Sequence, residues 1–430
     1  MTQDNTPSES ALKVTRRDFV KVTAAASVAA LALGAGTARA AGSDKLRVGL
    51  VGMGRRGLGC AKDCVTSSPN VEIVAVGDLF KDNLEAGCKR LAEVLKDKYK
   101  ATPETSFAGF DAYQKVIDCD VDLVLLCAPP GFRPLHLKAA LEKGRHVFME
   151  KPVAVDPAGV RSILASAEVA AQKKLGVVAG TQRRHQPTYV ETMKRIHAGD
   201  IGEVAAGQVY WIGDFGYYPA VLRKEGWSDM EAQVRNWNYY TWLSGDHIVE
   251  QHVHNIDIMC WVMKGPPKKA IGMGGRQQRV EPEYGHIYDH FAVEFEFENG
   301  VRWASYCRQN ANCAGRVSEY VEGTKGKSNC SGTIWGGKDW KYEGPQPNPY
   351  VQEHADLIAS IRDGKPLNEC KAVAESTLAA IAGRMSAYTG REVSIAWVLG
   401  TSKLDLTPPK YEFGPLAVPP VAIPGKTELI

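Results

Sequence analysis

The apolar positions of this chain fall into two rhythms. In the first, short and nearly continuous apolar runs alternate with stretches patterned at helical spacing. Leu46–Val51, Val71–Asp78, 121–128, His146–Met149 and 176–179 read as strands covered on both faces. Helices are expected between them, up to about Ser67, over 136–143 and over Pro157–Lys173. Strand and helix in alternation predict an α/β fold with a parallel sheet. The second rhythm has a period of two. Residues 204–211, 290–298 and 301–306 alternate as antiparallel strands with one covered face do. Helices near 354–362 and 372–388 follow. From Thr407 onward a stretch rich in Pro and Val predicts an extended tail, laid along a neighbouring subunit. No internal repeat interrupts this order.

Between the first two expected strands stands Gly52-Met53-Gly54-Arg55-Arg56-Gly57, and the second strand ends at Asp78, 21 residues beyond the last glycine. A G-x-G-x-x-G alone is weak evidence. With a strand before it, a helix after it and an acid at the next strand end, it predicts a Rossmann dinucleotide fold. Gly52 makes the tight turn, Gly54 lets backbone amides approach a pyrophosphate, and Gly57 lets the helix pack on the strand. The phosphates would sit at the helix N-terminus, where unpaired amides favour negative charge. Asp78 would accept from the adenosine ribose and repel a 2′-phosphate, so NAD is expected rather than NADP. Arg55 and Arg56 weaken that preference, since an arginine there could reach such a phosphate.

Composition adds limits. The 430 residues suit two domains, and 44% hydrophobic with 23% charged residues describes a globular chain. A formal charge of +3 from scattered residues gives no basic stripe for nucleic acid or membrane. Residues 1–40 read as an export signal of the twin-arginine type. They hold Arg16-Arg17, an alanine-rich run and the small-x-small site Ala38-Arg39-Ala40. A folded, periplasmic or extracellular product is the expectation, with no membrane span after cleavage. The ten cysteines follow no framework spacing, and Cys60 and Cys64 are expected to face a core.

The densest chemistry lies in Ser244-Gly245-Asp246-His247-Ile248-Val249-Glu250-Gln251-His252-Val253-His254-Asn255-Ile256-Asp257. One helix is expected from Asp246, as its cap, to about Met263. At about 100° per residue, His247, Glu250, His254 and Asp257 share a narrow face. Ile248, Val249, Val253, Ile256, Met259 and Cys260 fill the opposite arc. His252 falls in that apolar arc and reads as a satisfied core histidine. The glycine motif, Ala128-Pro129-Pro130, Glu150-Lys151-Pro152, Glu322-Gly323-Thr324-Lys325-Gly326-Lys327 and Ala387-Tyr388-Thr389-Gly390-Arg391 together resemble the glucose–fructose oxidoreductase, inositol dehydrogenase and MocA family (Gfo/Idh/MocA). The resemblance runs from about residue 45 to 395.

That resemblance implies an NAD(P)-binding Rossmann domain over 44–170. It implies a substrate domain over 171–395, built on a large, mainly antiparallel open sheet whose free face makes dimer or tetramer contacts. The tail is then 396–430. Cofactor contacts are expected from Gly52, Met53, Gly54, Arg55, Arg56, Gly57, Asp78, Ala128, Pro129, Glu150 and Lys151. The family's catalytic acid and histidine stand in an Asp-x-x-x-His arrangement, matched here by Glu250 and His254 with an acid one methylene longer. Lys151 matches the family's lysine. Oxidising an alcohol needs a base for the hydroxyl proton. A lysine beside a cationic ring can have a lowered pKa and polarise the new carbonyl, and a histidine titrating near neutrality can pass the proton on. Glu250 would orient His254 or bind a sugar hydroxyl. His247, Glu250 and His254 could instead ligate a metal, but such an ion would compete with those roles, and none is expected.

A sugar or glycoside is the expected substrate, contacted by Arg183, His185, Tyr189, Trp237, Tyr240, His247 and Asp257, since aromatic faces stack on sugars and arginines bind hydroxyls. Core packing is the plainer role for the aromatics. An exported enzyme meets no NAD pool, so a tightly held cofactor restored in each cycle is expected. Net oxidation through a keto-sugar leads. The alternatives are a redox-neutral glycoside hydrolase, working by oxidation, elimination, hydration and reduction, and a non-catalytic sugar-binding protein that keeps the cofactor.

Overall fold

The computed structural model describes residues 44–213 and 219–430. The expected export signal, residues 1–40, lies outside the described residues. The first layer is a parallel sheet in the order β3-β2-β1-β4-β5-β6. Its chain path is β1 (Leu46–Val51), α1 (Arg55–Ser67), β2 (Val71–Asp78), α2 (Lys81–Leu95), β3 (Ser106–Ala108), α3 (Ala112–Asp118), β4 (Leu123–Leu126), α4 (Arg133–Glu142), β5 (His146–Met149), α5 (Pro157–Lys173) and β6 (Val177–Ala179). The strands are largely apolar because helices cover both faces. Leu50 and Leu125 pack with Cys60 and Cys64 of α1 on one side. Val124 and Leu126 pack toward Leu137 of α4 and Ile163 of α5 on the other. β6 carries this sheet beyond residue 170, so the boundary expected there falls inside the first layer. Cys60 and Cys64 are fully buried, and all ten cysteines are free.

After α6 (Pro187–His197) comes a nine-stranded sheet in the order β14-β13-β12-β11-β7-β10-β9-β8-β15. It comprises β7 (Val204–Gly213), β8 (Lys269–Gly275), β9 (His290–Glu296), β10 (Arg302–Gln309), β11 (Arg316–Gly323), β12 (Lys327–Ser328), β13 (Thr333–Trp335), β14 (Trp340–Lys341) and β15 (Val393–Ser394). Its pairings are antiparallel except β7 with β10. Val209, Trp303, Cys307, Phe295 and Val321 point into the core. The other face holds Tyr210 and Tyr306, stacked at 5.4 Å, with Ile271 and Met273 exposed beyond them.

Five short helices and two longer ones join these layers. They are α7 (Asp229–Arg235), α8 (Thr241–Ser244), α9 (His247–Glu250), α10 (Val253–Met263), α11 (Pro349–Arg362), α12 (Cys370–Thr389) and α13 (Ile395–Gly400). α11 returns to pack on α1, and α12 lies between β8 and α5. The helix expected from Asp246 to Met263 is therefore two helices. The tail makes contacts across its own chain. Leu406 N donates to Asp156 Oδ2 at 2.7 Å, and Leu416 N to Asp229 Oδ2 at 3.1 Å. Between them Tyr411 and Phe413 pack on Phe110, at 6.3 and 5.0 Å between ring centres.

Candidate active site

A cavity of about 1000 Å³ runs along the C-terminal ends of the parallel strands, from Asp78 to Lys151 and His254. Strand order reverses between β1 and β4, and ligands of such sheets bind at that crevice. The glycine turn forms one wall. Gly52 has φ +99°, and a Cβ there would lie 2.7 Å from Ala128 N. A Cβ on Gly57 would lie 1.9 Å from the Gly52 carbonyl oxygen, whereas one on Gly54 meets nothing within 4 Å. The turn is thus closed on its protein side and open where a phosphate would approach α1. The residues fit a dinucleotide.

At the adenosine end, Asp78 takes Met53 N on Oδ2 at 2.7 Å and Phe80 N on Oδ1 at 2.8 Å. Burial pushes its pKa up, against those backbone donors. Oδ1 also accepts from Asn83 Nδ2 at 3.4 Å, so Oδ2 keeps a lone pair for a ribose hydroxyl. The Met53 side chain turns away, toward Gly87 of α2. Arg56 is committed elsewhere. It pairs with Glu150, and with Asp63 and Glu353 each at 3.4 Å, with its guanidinium 5.0 Å from the Tyr350 ring centre. Burial disfavours its charge, but Glu150 and Glu353 raise its pKa overall. Arg56 is spoken for by acids on the side away from Asp78, which favours NAD. Arg55, Ala128, Pro129 and Glu150 line the cavity.

At the other end, Lys151 Nζ donates to Glu250 Oε1 at 2.9 Å, to the Glu250 carbonyl and to Gln251 Oε1 at 3.3 Å. Three bonds use all the donors of an ammonium. This clamp accounts for the broken helix. In a continuous helix the Glu250 carbonyl would accept from His254 N. Instead it accepts from Lys151, His254 N turns to the Gln251 carbonyl at 3.4 Å, and His252 N reaches back to His247 at 3.1 Å. The break separates the four residues expected on one face. Glu250 stays on Lys151 with its Oε2 buried and unpartnered. His254 stacks on Trp211 at 5.6 Å, with Nδ1 buried and unpartnered. Burial, then the charges of Lys151, Arg183 and Arg56, hold His254 well below the ordinary histidine pKa. It is therefore neutral at neutral pH, and the expectation of titration near neutrality does not hold here.

The remaining expected contacts divide sharply. Trp237 lines the cavity with Lys151, Glu250 and His254. His247 turns back to Asp246 Oδ1 at 3.0 Å and to Phe291. Asp257 receives Arg184 on both oxygens at 2.8 Å, and Ser376 at 2.6 Å. Arg183 pairs with Glu319, which also takes the Tyr189 hydroxyl at 3.1 Å. His185 sits between Asp356 at 2.7 Å and Glu369 at 3.1 Å, and Tyr240 packs beside His286. Arg183, His185, Tyr189, Tyr240, His247 and Asp257 are therefore off the cavity wall, each held by a protein partner. Arg183 still supports that wall, with its guanidinium 5.8 Å from the Trp211 ring. His252 is a core histidine, bonded to Ser305 at 2.8 Å. No group of three potential metal ligands converges among the described residues.

Sequence reasoning missed Trp211, Lys224, Trp227, Gln251 and Arg133, all on the cavity wall. Gln251 carried a signal in its position between Glu250 and His254. Trp227 and Lys224 lie in a loop whose place only tertiary packing sets.

Comparison with known proteins gives this geometry its relatives. Residues 46–178 match the family model described as an oxidoreductase family with an NAD-binding Rossmann fold, and residues 189–328 match the GFO/IDH/MocA C-terminal domain. The scyllo-inositol 2-dehydrogenase (NAD(+)) of Bacillus subtilis (strain 168) is 26% identical over 286 residues, 66% of this chain and 72% of that protein. The scyllo-inositol dehydrogenase from Lactobacillus casei, solved with NAD(H) and scyllo-inositol, aligns over 82% of this chain and 99% of its own at TM-score 0.62 and 20% identity. The aldose–aldose oxidoreductase from Caulobacter crescentus, complexed with glycerol, aligns over 81% and 99% at TM-score 0.64 and 18% identity. At those identities the solved structures speak for the fold, while the two sequence matches span more than half the chain. The chain belongs to the Gfo/Idh/MocA family of oxidoreductases, with its NAD-binding Rossmann fold followed by the family's C-terminal domain.

Proposed function

We propose that this protein oxidises a hydroxyl of a sugar, sugar alcohol or glycoside to a ketone, with NAD held through the catalytic cycle. The observation that carries the reading is the Lys151 clamp beside a neutral, cavity-facing His254. When bound, the dinucleotide supplies the acceptor for the two electrons leaving the carbon. The protein handles the proton and the oxygen. His254 takes the hydroxyl proton, as a neutral imidazole can. Lys151 donates to the oxygen as it becomes a carbonyl, exchanging one of its present acceptors. The unpartnered Oε2 of Glu250 receives a neighbouring hydroxyl and fixes which carbon faces the dinucleotide. Trp211, Trp227 and Trp237 line the part of the cavity that would take the sugar ring. The inositol dehydrogenases among the relatives act on polyols, which supports this substrate class.

Export as a folded protein, read from residues 1–40, motivates the retained cofactor. Outside the cytoplasm no NAD pool would replace it, so a second substrate must reoxidise it in place. The test is to purify the exported protein through gel filtration, denature it and quantify NAD, NADH and NADP per chain. Near one nicotinamide per chain is expected, followed by turnover of sugar pairs with no added NAD. An empty protein that turns over sugars only with added NAD would remove the retained-cofactor reading. Cleavage of a glycoside without net redox change would replace net oxidation by the hydrolase route. A protein loaded with NAD but inert toward sugars and glycosides would be a binding protein.

A further inference from the structure

Arg133 stands apart from the other arginines of the cavity. It opens α4, is 1% exposed and lines the cavity floor. Its guanidinium donates through Nη1 to the Leu126 carbonyl at 2.6 Å, while Nε is buried with no acceptor. It makes no ion pair within 4 Å among the described residues, whereas Arg56 and Arg235 on the same wall each hold a carboxylate. A buried charge without a partner is costly, and a ligand bringing the opposite charge would relieve that cost. Its position says what kind of ligand. The segment that leads into α4 presses on the phosphate turn, since a Cβ on Gly52 would lie 2.7 Å from Cys127 C, and one on Gly57 3.4 Å from Cys127 Cβ. The carboxylate whose charge reaches the guanidinium is that of Glu150, which stands beside that turn and is already paired with Arg56.

We propose that Arg133 is the buried counter-charge of the dinucleotide's pyrophosphate, a second cationic support from beneath the cavity beside the amides of the glycine turn. The anionic group could also belong to a substrate, and the experiment separates the two. The proposal rests on dinucleotide binding and not on the sugar reading, so it survives if the substrate proves to be something else.

The test uses the full mature chain, stripped of nucleotide on charcoal, as wild type, R133M and R133K. Calorimetric affinities for adenosine, ADP and NAD are measured with the melting temperature of each nucleotide-free protein. R133M should lose about 10- to 100-fold in affinity for ADP and NAD, with adenosine unchanged. R133K should recover most of the loss. Nucleotide-free R133M should melt no lower than wild type, because an uncompensated charge has gone. Equal weakening of all three ligands, or a nucleotide-free R133M that melts several degrees lower, would make Arg133 a brace for the Leu126 carbonyl and overturn the proposal. Unchanged ADP and NAD affinity would overturn it as well, and a rise in KM for acidic sugars alone would then place the anion on the substrate.

Discussion

Lys151 donates to the Glu250 carboxylate, the Glu250 carbonyl and Gln251, and each bond bears on a different variant. K151M removes the donor that would hold the forming carbonyl oxygen, so kcat should fall by about 10²- to 10⁴-fold. E250Q keeps the shape and the carbonyl but loses the charge, so a smaller fall, roughly 10-fold, is expected with a rise in KM. Both variants should retain NAD like wild type, measured on the denatured protein. A variant that lost kcat and NAD together would show a collapsed site, not a missing group. The His254 pKa adds a pH profile. Its neutral form persists above a folded-state pKa lying below 6.5, so kcat/KM should stay level as pH falls through 6.5 and drop only below it. An acid limb at 6.5 would assign the proton to another group. At this scale the sequence brought Lys151, Glu250 and His254 to one place, and they do meet at the cavity wall. It did not show that His247 and Asp257 leave them, because that depends on Asp246 and Arg184.

Among the elements, α5 and the broken α9–α10 pair show what a local pattern can and cannot carry. α5 was legible end to end. Asp156 caps it by accepting Gly159 N at 2.6 Å, Pro157 opens it, and Lys174 closes it in a left-handed conformation. All three signals lie within the segment. The break at Gln251 is made by Lys151, a hundred residues earlier, and no periodicity within 246–263 records it. The glycine turn belongs with α5, because each glycine's task followed from its place between strand and helix. G57A puts a methyl 1.9 Å from a backbone oxygen that no rotamer change can move. The turn must open, at a cost of about 1–3 kcal/mol in stability. NAD affinity should fall with it, as the amides facing the pyrophosphate lose their spacing. Denaturant midpoints with and without NAD would show both losses. G54A, with open space around it, should keep the stability and lose the affinity.

Across the whole molecule, the layers are tied by contacts that join distant parts of the chain. The tail packs on its own chain because Phe80, Phe110 and Phe132 leave an aromatic surface for Tyr411 and Phe413. That surface is assembled from three separate loops, so the chain's rhythm could not announce it. Removing residues 404–430 should lower the melting temperature by several degrees, with the parallel sheet still formed by circular dichroism. The tie through His185 has a pH signature. Its ring is 5% exposed in its side chain, between Asp356 and Glu369. Burial opposes its charge, but the two carboxylates win and raise its pKa from 6.5 to about 9. A raised histidine stabilises the fold fully below its unfolded pKa and loses that contribution as pH rises through its folded one. The window is therefore pH 6.5 to about 9. Allowing for solvent screening at Asp356, roughly 2 kcal/mol should disappear across it. Urea midpoints of wild type should decline over that window, and those of H185Q should start lower and stay level. A parallel decline in H185Q would move the pH sensitivity to another group and leave His185 as packing alone.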